Sequence, residues 1–268
     1  MKDIKNKVTL VTGASQGIGR AIATSLALAG ANVAIIASRK EEVEKTAAEI
    51  RALGGKCEGF ACNLMDTELF FQVHDQIVAK MGPIEILVNN VGAGTFKPMH
   101  LMTRKEAMLP VQLPFGIAVA ASHAVIPSML EKKSGHIVNL ISPAGIFPLP
   151  YMMPYTAARY AMLGLSHSLY EELHHKGIGV TMVCPAQVNT NYFQKNDADM
   201  GWYPKISKVF PVLEPKEVGD AVVEGILKDK REVILPFFLR ALIFFYRPIP
   251  RFWVGLFKLL GLWGPSNK

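Results

Sequence analysis

The chain has few cysteines, and none of them is arranged for chemistry. Cys57, Cys62 and Cys184 are the only three among 268 residues, and they form no CxxC pair. No histidine stands at metal-ligand spacing from them or from another histidine. The sequence therefore predicts no metal site, and it indicates reduced thiols in a reducing compartment.

A long hydrophobic run is also missing from the N-terminus. Only the seven residues MKDIKNK precede a short apolar stretch that leads into a glycine-rich turn. Such a start leaves no room for a signal peptide, so we expect a cytoplasmic protein. The length suffices for one large α/β domain with a substantial buried core, and no internal repeat or low-complexity tract is visible.

Acidic residues are absent from the last part of the chain. Beyond Glu232 every charged side chain is basic, and these side chains carry five of the seven net positive charges: Arg240, Arg247, Arg251, Lys258 and Lys268. The basic balance is thus a local property of the C-terminus. Because no groove motif of aromatic and basic residues accompanies it elsewhere, we expect no nucleic-acid partner.

Hydrophobic periodicity predicts alternating strands and helices. Short apolar runs predict strands at residues 8–11, 33–37, 57–62, 84–89, 135–141, 179–184 and 233–235. Helical patterns separate them, the first two at residues 17–29 and 41–53. Repeated β–α units imply a parallel sheet with helices on both faces. We therefore expect a doubly wound α/β domain over residues 1–236, followed by an apolar extension over residues 237–268.

The first predicted strand leads into the turn TGASQGIG. Its three glycines follow a strand and open a helix, which is the setting in which a Rossmann-type fold binds a dinucleotide. Glycines let the backbone approach the pyrophosphate closely, and the helix N-terminus presents free N–H groups to it. Glycines also punctuate turns that bind nothing, but the position between strand and helix argues against that. We assign to this site Gly13, Ser15, Gln16, Gly17, Ile18 and Gly19.

The end of the second predicted strand bears on the choice of cofactor. Sites that prefer NAD commonly place a carboxylate there to hold the adenosine ribose. Here the positions are taken by Ala37, Ser38 and Arg39. A hydroxyl and a guanidinium suit a 2′-phosphate through charge-assisted hydrogen bonds, although Arg39 could also be an ordinary loop arginine. We therefore expect NADP(H), with NAD(H) as the less favoured cofactor.

Several ordered motifs together resemble the short-chain dehydrogenase/reductase family. They are TGASQGIG at 12–19, NNVG at 89–92, GHIVNLIS at 135–142, Tyr155 and CPAQVNT at 184–190, and the resemblance spans roughly residues 5–236. It implies that Ser142 and Tyr155 are catalytic. It also places near the cofactor Asn63, Leu64, Asn89, Gly92, Pro185, Val188 and Thr190. Homodimers or homotetramers are common in the family, but the extension could block the usual contacts.

The family chemistry transfers a hydride to carbon and a proton to oxygen when a carbonyl is reduced. Tyr155 is the expected acid, and Ser142 would hydrogen-bond the carbonyl oxygen and stabilise its developing charge. A phenol ordinarily ionises near pH 10, which is too high for efficient exchange near neutrality. A cation at about 5 Å favours the phenolate by roughly 3 kcal/mol at an effective dielectric constant of about 20. The family supplies this cation as a lysine, which also hydrogen-bonds the nicotinamide ribose.

The sequence departs from the family pattern at two catalytic positions. Arg159 stands where the lysine is expected; it keeps the charge, but its planar fork is bulkier. Gln112 stands where members usually carry an asparagine that kinks a helix and orders a water for proton relay. Because Pro110 and Pro114 flank Gln112, we expect this segment to be bent or locally unwound beside the site.

Three functions remain open after these departures. An NADP(H)-dependent oxidoreductase is the favoured one, because both Ser142 and Tyr155 are retained at the family spacing. A redox-neutral isomerase, lyase or cyclase on the same scaffold is the second. An NADP(H)-binding protein with little or no turnover is the third.

A hydrophobic small-molecule substrate is expected from the residues around the predicted site. The loop at residues 187–211 follows the sixth predicted strand, where this fold places a substrate lid. Four of its side chains are aromatic: Tyr192, Phe193, Trp202 and Tyr203. Further apolar residues lie between Ser142 and Tyr155, namely Phe147, Leu149, Met152 and Met153. The alternative is that these side chains only pack the lid.

The extension is apolar and basic, but residues 237–262 are too interrupted for a transmembrane span. Pro248 and Pro250 divide the segment into two short helices. Each helix would have a broad apolar face and a basic edge, formed by Arg240 with Arg247 and by Arg251 with Lys258. Such helices suit shallow insertion into an anionic membrane surface. We favour peripheral contact with the inner membrane face over burial against the domain's own sheet or a partner subunit.

Overall fold

The computed structural model describes residues 1, 3–196 and 198–266, and these contain a seven-stranded parallel sheet. The strands are β1 (Val8–Thr12), β2 (Asn32–Ala37), β3 (Lys56–Ala61), β4 (Ile86–Asn89), β5 (Gly135–Leu140), β6 (Ile178–Pro185) and β7 (Glu232–Leu235). Their order across the sheet is β3-β2-β1-β4-β5-β6-β7. The predicted doubly wound α/β fold is confirmed, and the predicted strands differ from the observed ones only at their ends.

Ten α-helices connect or follow the strands in the described part of the chain. They are α1 (Gly17–Leu28), α2 (Lys40–Ala52), α3 (Thr67–Met81), α4 (Arg104–Pro110), α5 (Ile117–Lys132), α6 (Met153–Leu173), α7 (Tyr192–Lys195), α8 (Pro215–Leu227), α9 (Phe237–Tyr246) and α10 (Pro250–Leu259). The helices predicted after the first two strands are present, and each ends one residue earlier than expected.

The sheet is buried on both faces, which explains why its strands are continuous apolar runs. Every residue of β1 and β5 is buried. One face packs against α1, α2 and α8, which contribute residues such as Ile22 and Val222. The other face packs against α3, α5 and α6, which contribute residues such as Phe70 and Val125. The strand order reverses between β1 and β4, and ligands of open parallel sheets bind at such a switch point, beyond the carboxyl ends of the strands.

The proline-flanked segment is locally unwound, as predicted. Helix α4 ends at Pro110, and Val111–Gly116 form a π-helical turn before α5 begins. Pro114 lies inside this turn and has no N–H to bond the preceding carbonyls, so a regular α-helix cannot continue through it. The wider turn changes which side chains face the neighbouring loops.

One helical segment, Arg104–Lys132, has the length and mean hydropathy of a membrane span. It consists of α4, the π-helical turn and α5. Three of the α5 residues in this segment, Ile117, Ala121 and Val125, are buried against the sheet together with strand residues. We therefore interpret it as a core helix of the domain.

One face of the C-terminal extension packs against the domain. Leu239 and Ile243 of α9 and Phe257 of α10 are buried in a cluster with Met182 of β6 and Ile234 of β7. Burial against the domain itself, which was the alternative to membrane contact, therefore holds for one face of each helix.

The basic edge predicted for α9 is only partly present. Arg240 is exposed, but Arg247 forms an ion pair with Glu232 of β7, with a distance of 2.8 Å between Nη2 and Oε1. Glu232 also lies 3.3 Å from Nε2 of His167. Arg247 therefore ties the extension to the sheet instead of extending a basic surface. Lys268, counted in the basic tail, lies outside the described residues.

Candidate active site

A cavity of about 610 Å³ lies where the loops after β1, β2, β3, β4, β5 and β6 meet. Parallel strands end at the same edge of a sheet, so these loops lie side by side. Most of the predicted cofactor residues line it: Gly13, Ser15, Gln16, Gly17, Ile18, Gly19, Ser38, Arg39, Asn63, Leu64, Gly92, Pro185, Val188 and Thr190. The structure therefore brings these residues together on one cavity.

The glycine-rich turn has the backbone that a dinucleotide requires. Gly13 and Gly17 have φ angles of 65° and 55°, a region that side chains with a Cβ rarely adopt. Helix α1 begins at Gly17, its N-cap residue Gln16 forms no side-chain cap, and its first turn has no acidic residue. Its terminal N–H groups are thus free of side-chain partners and can bind an anion. The residues present fit a pyrophosphate at this position.

The carboxylate of Glu42 forms an ion pair with Arg39, the arginine predicted to bind the 2′-phosphate of NADP(H). Oε1 of Glu42 lies 2.7 Å from Nη2 of Arg39, and Oε2 accepts a hydrogen bond from Oγ of Ser15 at 3.3 Å. Lys195 of α7 approaches the same carboxylate at 3.8 Å. Neither Glu42 nor Lys195 was predicted from the sequence to lie at this site. The ion pair between Arg39 and Glu42 could have been predicted, because the two residues stand three positions apart in the sequence.

Asn89 does not line the cavity, so its predicted contact with the cofactor is not supported. Its side chain is buried, and its amide donates a hydrogen bond to Oδ1 of Asn139 on the neighbouring strand at 2.8 Å. The next residue, Asn90, lines the cavity and donates to the carbonyls of Thr12 and Gly13 at 3.0 and 3.1 Å. Asn90 stands directly after the last residue of β4, and it lines the cavity where Asn89 does not. Asn90 holds the glycine-rich turn in place.

Ser142, Tyr155 and Arg159 all line the cavity. Ser142 follows β5, and its Oγ accepts a hydrogen bond from the backbone N–H of Ala144 at 3.3 Å, which leaves the hydroxyl proton free to be donated. Tyr155 and Arg159 lie one turn apart on α6, so they share a face of the helix. Cζ of Arg159 lies 5.1 Å from the centre of the Tyr155 ring. The three predicted residues therefore converge.

Arg159 is a buried cation in the wall of the cavity. It is 5% exposed, and Nη1 donates a hydrogen bond to the carbonyl of Leu140 at 2.8 Å. Burial lowers the pKa of its guanidinium. Tyr155 and Tyr192 together raise this pKa by more than burial lowers it, so the net pKa lies above the usual value. Among the described residues, the groups that raise this pKa are these two tyrosines, and no carboxylate contributes to the shift. A Cβ on Gly92 would lie 2.6 Å from Nη2, so the glycine makes room for the guanidinium.

Gln112, predicted as a catalytic residue, is not brought to the cavity. It is exposed, and the neighbouring Leu113 lines the cavity in its place. The π-helical turn, which contains Pro114, changes the direction of the side chains in this segment relative to a regular helix. The structure therefore gives no support to a proton relay through Gln112.

Aromatic side chains enclose Tyr155. The ring of Phe96 lies 5.8 Å from that of Tyr155, 5.7 Å from Phe193 and 5.5 Å from Tyr203, measured between centres. Phe193 and Tyr203 belong to the predicted lid, residues 187–211, of which Asp197 lies outside the described residues. Phe96 was missed because no motif marks it; it stands in the loop after β4.

Other predicted wall residues are divided between the cavity and the surface. The residues that line it include Phe147, Leu149, Met152 and Tyr192. Met153 is 48% exposed and does not line it. Trp202 does not line it either, and its ring lies 4.9 Å from that of Tyr151. The residue before Met153, Met152, which directly precedes α6, is buried and lines the cavity instead.

Known proteins are similar to this chain over most of its length. The 17-beta-hydroxysteroid dehydrogenase 13 of Rattus norvegicus is 33% identical over 243 residues, which cover 89% of this chain and 77% of the relative. The estradiol 17-beta-dehydrogenase 11 of Homo sapiens is 28% identical over 264 residues, which cover 96% of this chain and 84% of the relative.

Solved structures agree with the observed fold. A metagenomic short-chain oxidoreductase in complex with NADP has a TM-score of 0.73 at 30% identity, covering 87% of this chain and 97% of its own. A short-chain dehydrogenase from Sphingobium yanoikuyae in complex with NADPH has a TM-score of 0.79 at 26% identity, covering 94% and 95%. The family model described as short chain dehydrogenase matches residues 7–201. The fold, the cavity and these matches together show that the chain belongs to the short-chain dehydrogenase family.

Proposed function

We propose that this protein is an NADP(H)-dependent oxidoreductase that interconverts a hydrophobic ketone or aldehyde and the corresponding alcohol. The observation that carries the proposal is the convergence of Ser142, Tyr155 and Arg159 on the cavity that also holds the glycine-rich turn. The two structural relatives in complex with NADP and NADPH support the choice of cofactor.

The residues of the reaction centre divide the work of a carbonyl reduction. The nicotinamide, when bound, supplies the hydride. Tyr155 donates its phenolic proton to the carbonyl oxygen, and Ser142 donates a hydrogen bond to the same oxygen. Arg159, with its charge 5.1 Å from the tyrosine ring, stabilises the phenolate that remains. In the oxidation of an alcohol, the phenolate of Tyr155 takes the hydroxyl proton.

The lining of the cavity supports an apolar substrate. Phe96, Phe147, Phe193 and Tyr203 all line it, and three of them, Phe96, Phe193 and Tyr203, pack in one cluster with Tyr155. Among the described lining residues, the charged ones other than Arg159 are Arg39, Glu42 and Lys195, which lie together beside Ser15 of the glycine-rich turn. The curated relatives are named for hydroxysteroids and estradiol, which supports a hydrophobic ring substrate.

The proposal is tested by mixing the purified protein with NADPH and a panel of apolar ketones and aldehydes. We expect NADPH absorbance to fall in proportion to the alcohol formed, as measured by chromatography. Product formed without a change in NADPH absorbance would instead indicate a redox-neutral enzyme. Cofactor binding without any product would indicate a cofactor-sensing protein.

Arg39→Ala is expected to weaken NADPH binding about tenfold and to leave NADH binding unchanged, because only the 2′-phosphate needs the guanidinium. The loss is moderate because the side chain is 58% exposed and already paired with Glu42. Fluorescence titration of both cofactors measures it. The control, Glu42→Gln, removes the competing carboxylate and is expected to tighten NADPH binding. An equal loss for NADH and NADPH with Arg39→Ala would contradict the assignment.

We also propose that the exposed face of the extension contacts an anionic membrane peripherally. Its exposed aromatic side chains include Phe237, Phe238 and Phe244, each 72% exposed, together with Phe245 and Phe252. Three exposed cations accompany them: Arg240, Arg251 and Lys258. An apolar face with a basic rim is the composition of an interfacial helix.

The double variant Phe244→Asp/Phe245→Asp is expected to lose most of its flotation with phosphatidylserine vesicles, because it places two carboxylates on the inserted face. The control Leu53→Asp changes a leucine that is 62% exposed at the end of α2, and it is expected to float like the unchanged protein. If the double variant instead floats normally and changes its oligomeric state by light scattering, the face is a subunit contact.

A further inference from the structure

A tyrosine of the lid reaches into the reaction centre. We propose that Tyr192 is a positioning residue, whose hydroxyl holds the Arg159 guanidinium against Tyr155 when the lid lies over the cavity. The inference rests on the proposed function, and it adds a dependence of turnover on one lid side chain.

The surroundings of Gly92 show that the side chains of Tyr192 and Arg159 lie close together. A Cβ built on this glycine would lie 2.6 Å from Nη2 of Arg159, 3.3 Å from Cε2 of Tyr192 and 3.6 Å from Oη of Tyr192. The guanidinium and the phenol therefore occupy neighbouring positions above the same backbone. On its other side, the guanidinium is held by the carbonyl of Leu140 at 2.8 Å.

The polar atoms at this contact are buried and poorly satisfied. Oη of Tyr192 and Nε of Arg159 are both inaccessible to solvent, and neither has a hydrogen-bond partner within strict limits of geometry among the described residues, although the two side chains lie close enough for each to shift the pKa of the other. Burial and the nearby Tyr155 raise the pKa of Tyr192, and Arg159 lowers it in part; the net shift is upward. Tyr192 is thus a neutral hydroxyl whose oxygen can accept from Arg159 while its proton is directed elsewhere.

Two hydrogen bonds hold Tyr192 within the lid, and a third joins the lid to the loop after β4. The backbone N–H of Tyr192 donates to Oγ1 of Thr190 at 3.3 Å, and Nδ2 of Asn196 donates to the carbonyl of Tyr192 at 2.8 Å. Oδ1 of Asn196 accepts from the backbone N–H of Gly94 at 3.3 Å, in the loop after β4. The position of the phenol is therefore set by the position of the lid.

Tyr192→Phe, compared with the unchanged protein, is the direct kinetic test. We expect kcat to fall about tenfold and NADPH affinity, from fluorescence titration, to stay within about twofold. The rising limb of kcat/KM for alcohol oxidation should move to higher pH, because a less well-held cation stabilises the phenolate less. Tyr170→Phe on α6 is the matched control, since Tyr170 stacks on His174 away from the cavity, and it should change none of these.

A second measurement does not depend on turnover. Modification of Arg159 by phenylglyoxal, followed by mass spectrometry, should be faster in Tyr192→Phe and in Asn196→Ala than in Tyr170→Phe. Unchanged kcat, pH profile and modification rate in Tyr192→Phe would overturn the inference, as would a loss of NADPH affinity at unchanged kcat. If the unchanged protein reduces no substrate, the proposed function fails, and the modification rates still decide whether Tyr192 holds Arg159.

Discussion

Tyr155→Phe is expected to slow NADPH-dependent carbonyl reduction by about 10²- to 10⁴-fold, the usual contribution of a positioned general acid. The substitution removes only the hydroxyl. The ring contacts with Phe96 and Arg159 remain available to phenylalanine, so the site should keep its shape. Single-turnover reduction of an accepted ketone, followed by NADPH absorbance, measures the effect on the chemical step.

Two observations separate this loss from a general defect. NADPH affinity and the thermal unfolding temperature should match those of the unchanged protein, because the hydroxyl contributes little to packing. Tyr160→Phe is a suitable control, since Tyr160 also lies on α6 but donates its hydroxyl to the carbonyl of Ile146 outside the cavity. Retention of more than about a tenth of the activity in Tyr155→Phe would contradict the assigned role.

Arg159→Ala is expected to lower kcat about 100-fold. A unit charge at about 5 Å contributes roughly 3 kcal/mol at an effective dielectric constant of about 20, and this corresponds to about two orders of magnitude in rate. Burial of the guanidinium keeps solvent from screening this interaction. Steady-state kinetics over a range of pH measure the loss.

Arg159→Lys distinguishes charge from shape. A lysine keeps the cation, and we expect it to retain activity within about tenfold of the unchanged protein, since this is the residue that the family pattern carries. The Ala variant also leaves a void, so circular dichroism and thermal unfolding should accompany the kinetics. Equal losses in the Lys and Ala variants would show that the geometry of the guanidinium, and not its charge, supports turnover.

Features set by local patterns could be predicted from the sequence. Strands such as β1 and β5 are apolar throughout because the sheet is covered on both faces, and the glycine-rich turn stands directly after the first strand. The spacing of thirteen residues between Ser142 and Tyr155 was part of the resemblance to the short-chain dehydrogenase/reductase family, and both residues line the cavity. These features depend on residues close in the sequence.

Features set by distant contacts could not be predicted. Which of Asn89 and Asn90 faces the cavity depends on the register of β4 against its neighbours, and the motif NNVG is the same in either case. The direction of Gln112 depends on the π-helical turn, whose register the two prolines do not specify. Tyr192 lies beside Arg159 although the two residues are far apart in the sequence, and no local pattern predicts that proximity.

The buried guanidinium of Arg159 also has a consequence for the evolution of the fold. A cation kept from water, with no carboxylate among the described groups that shift its pKa, weakens the folded state relative to a neutral side chain of similar volume. Selection for heat resistance alone would therefore tend to replace it, and selection for turnover would tend to keep it. The buried cation thus favours catalysis and lowers the stability of the fold. A thermostable descendant that keeps Arg159 is therefore expected to have gained stability from substitutions elsewhere in the core.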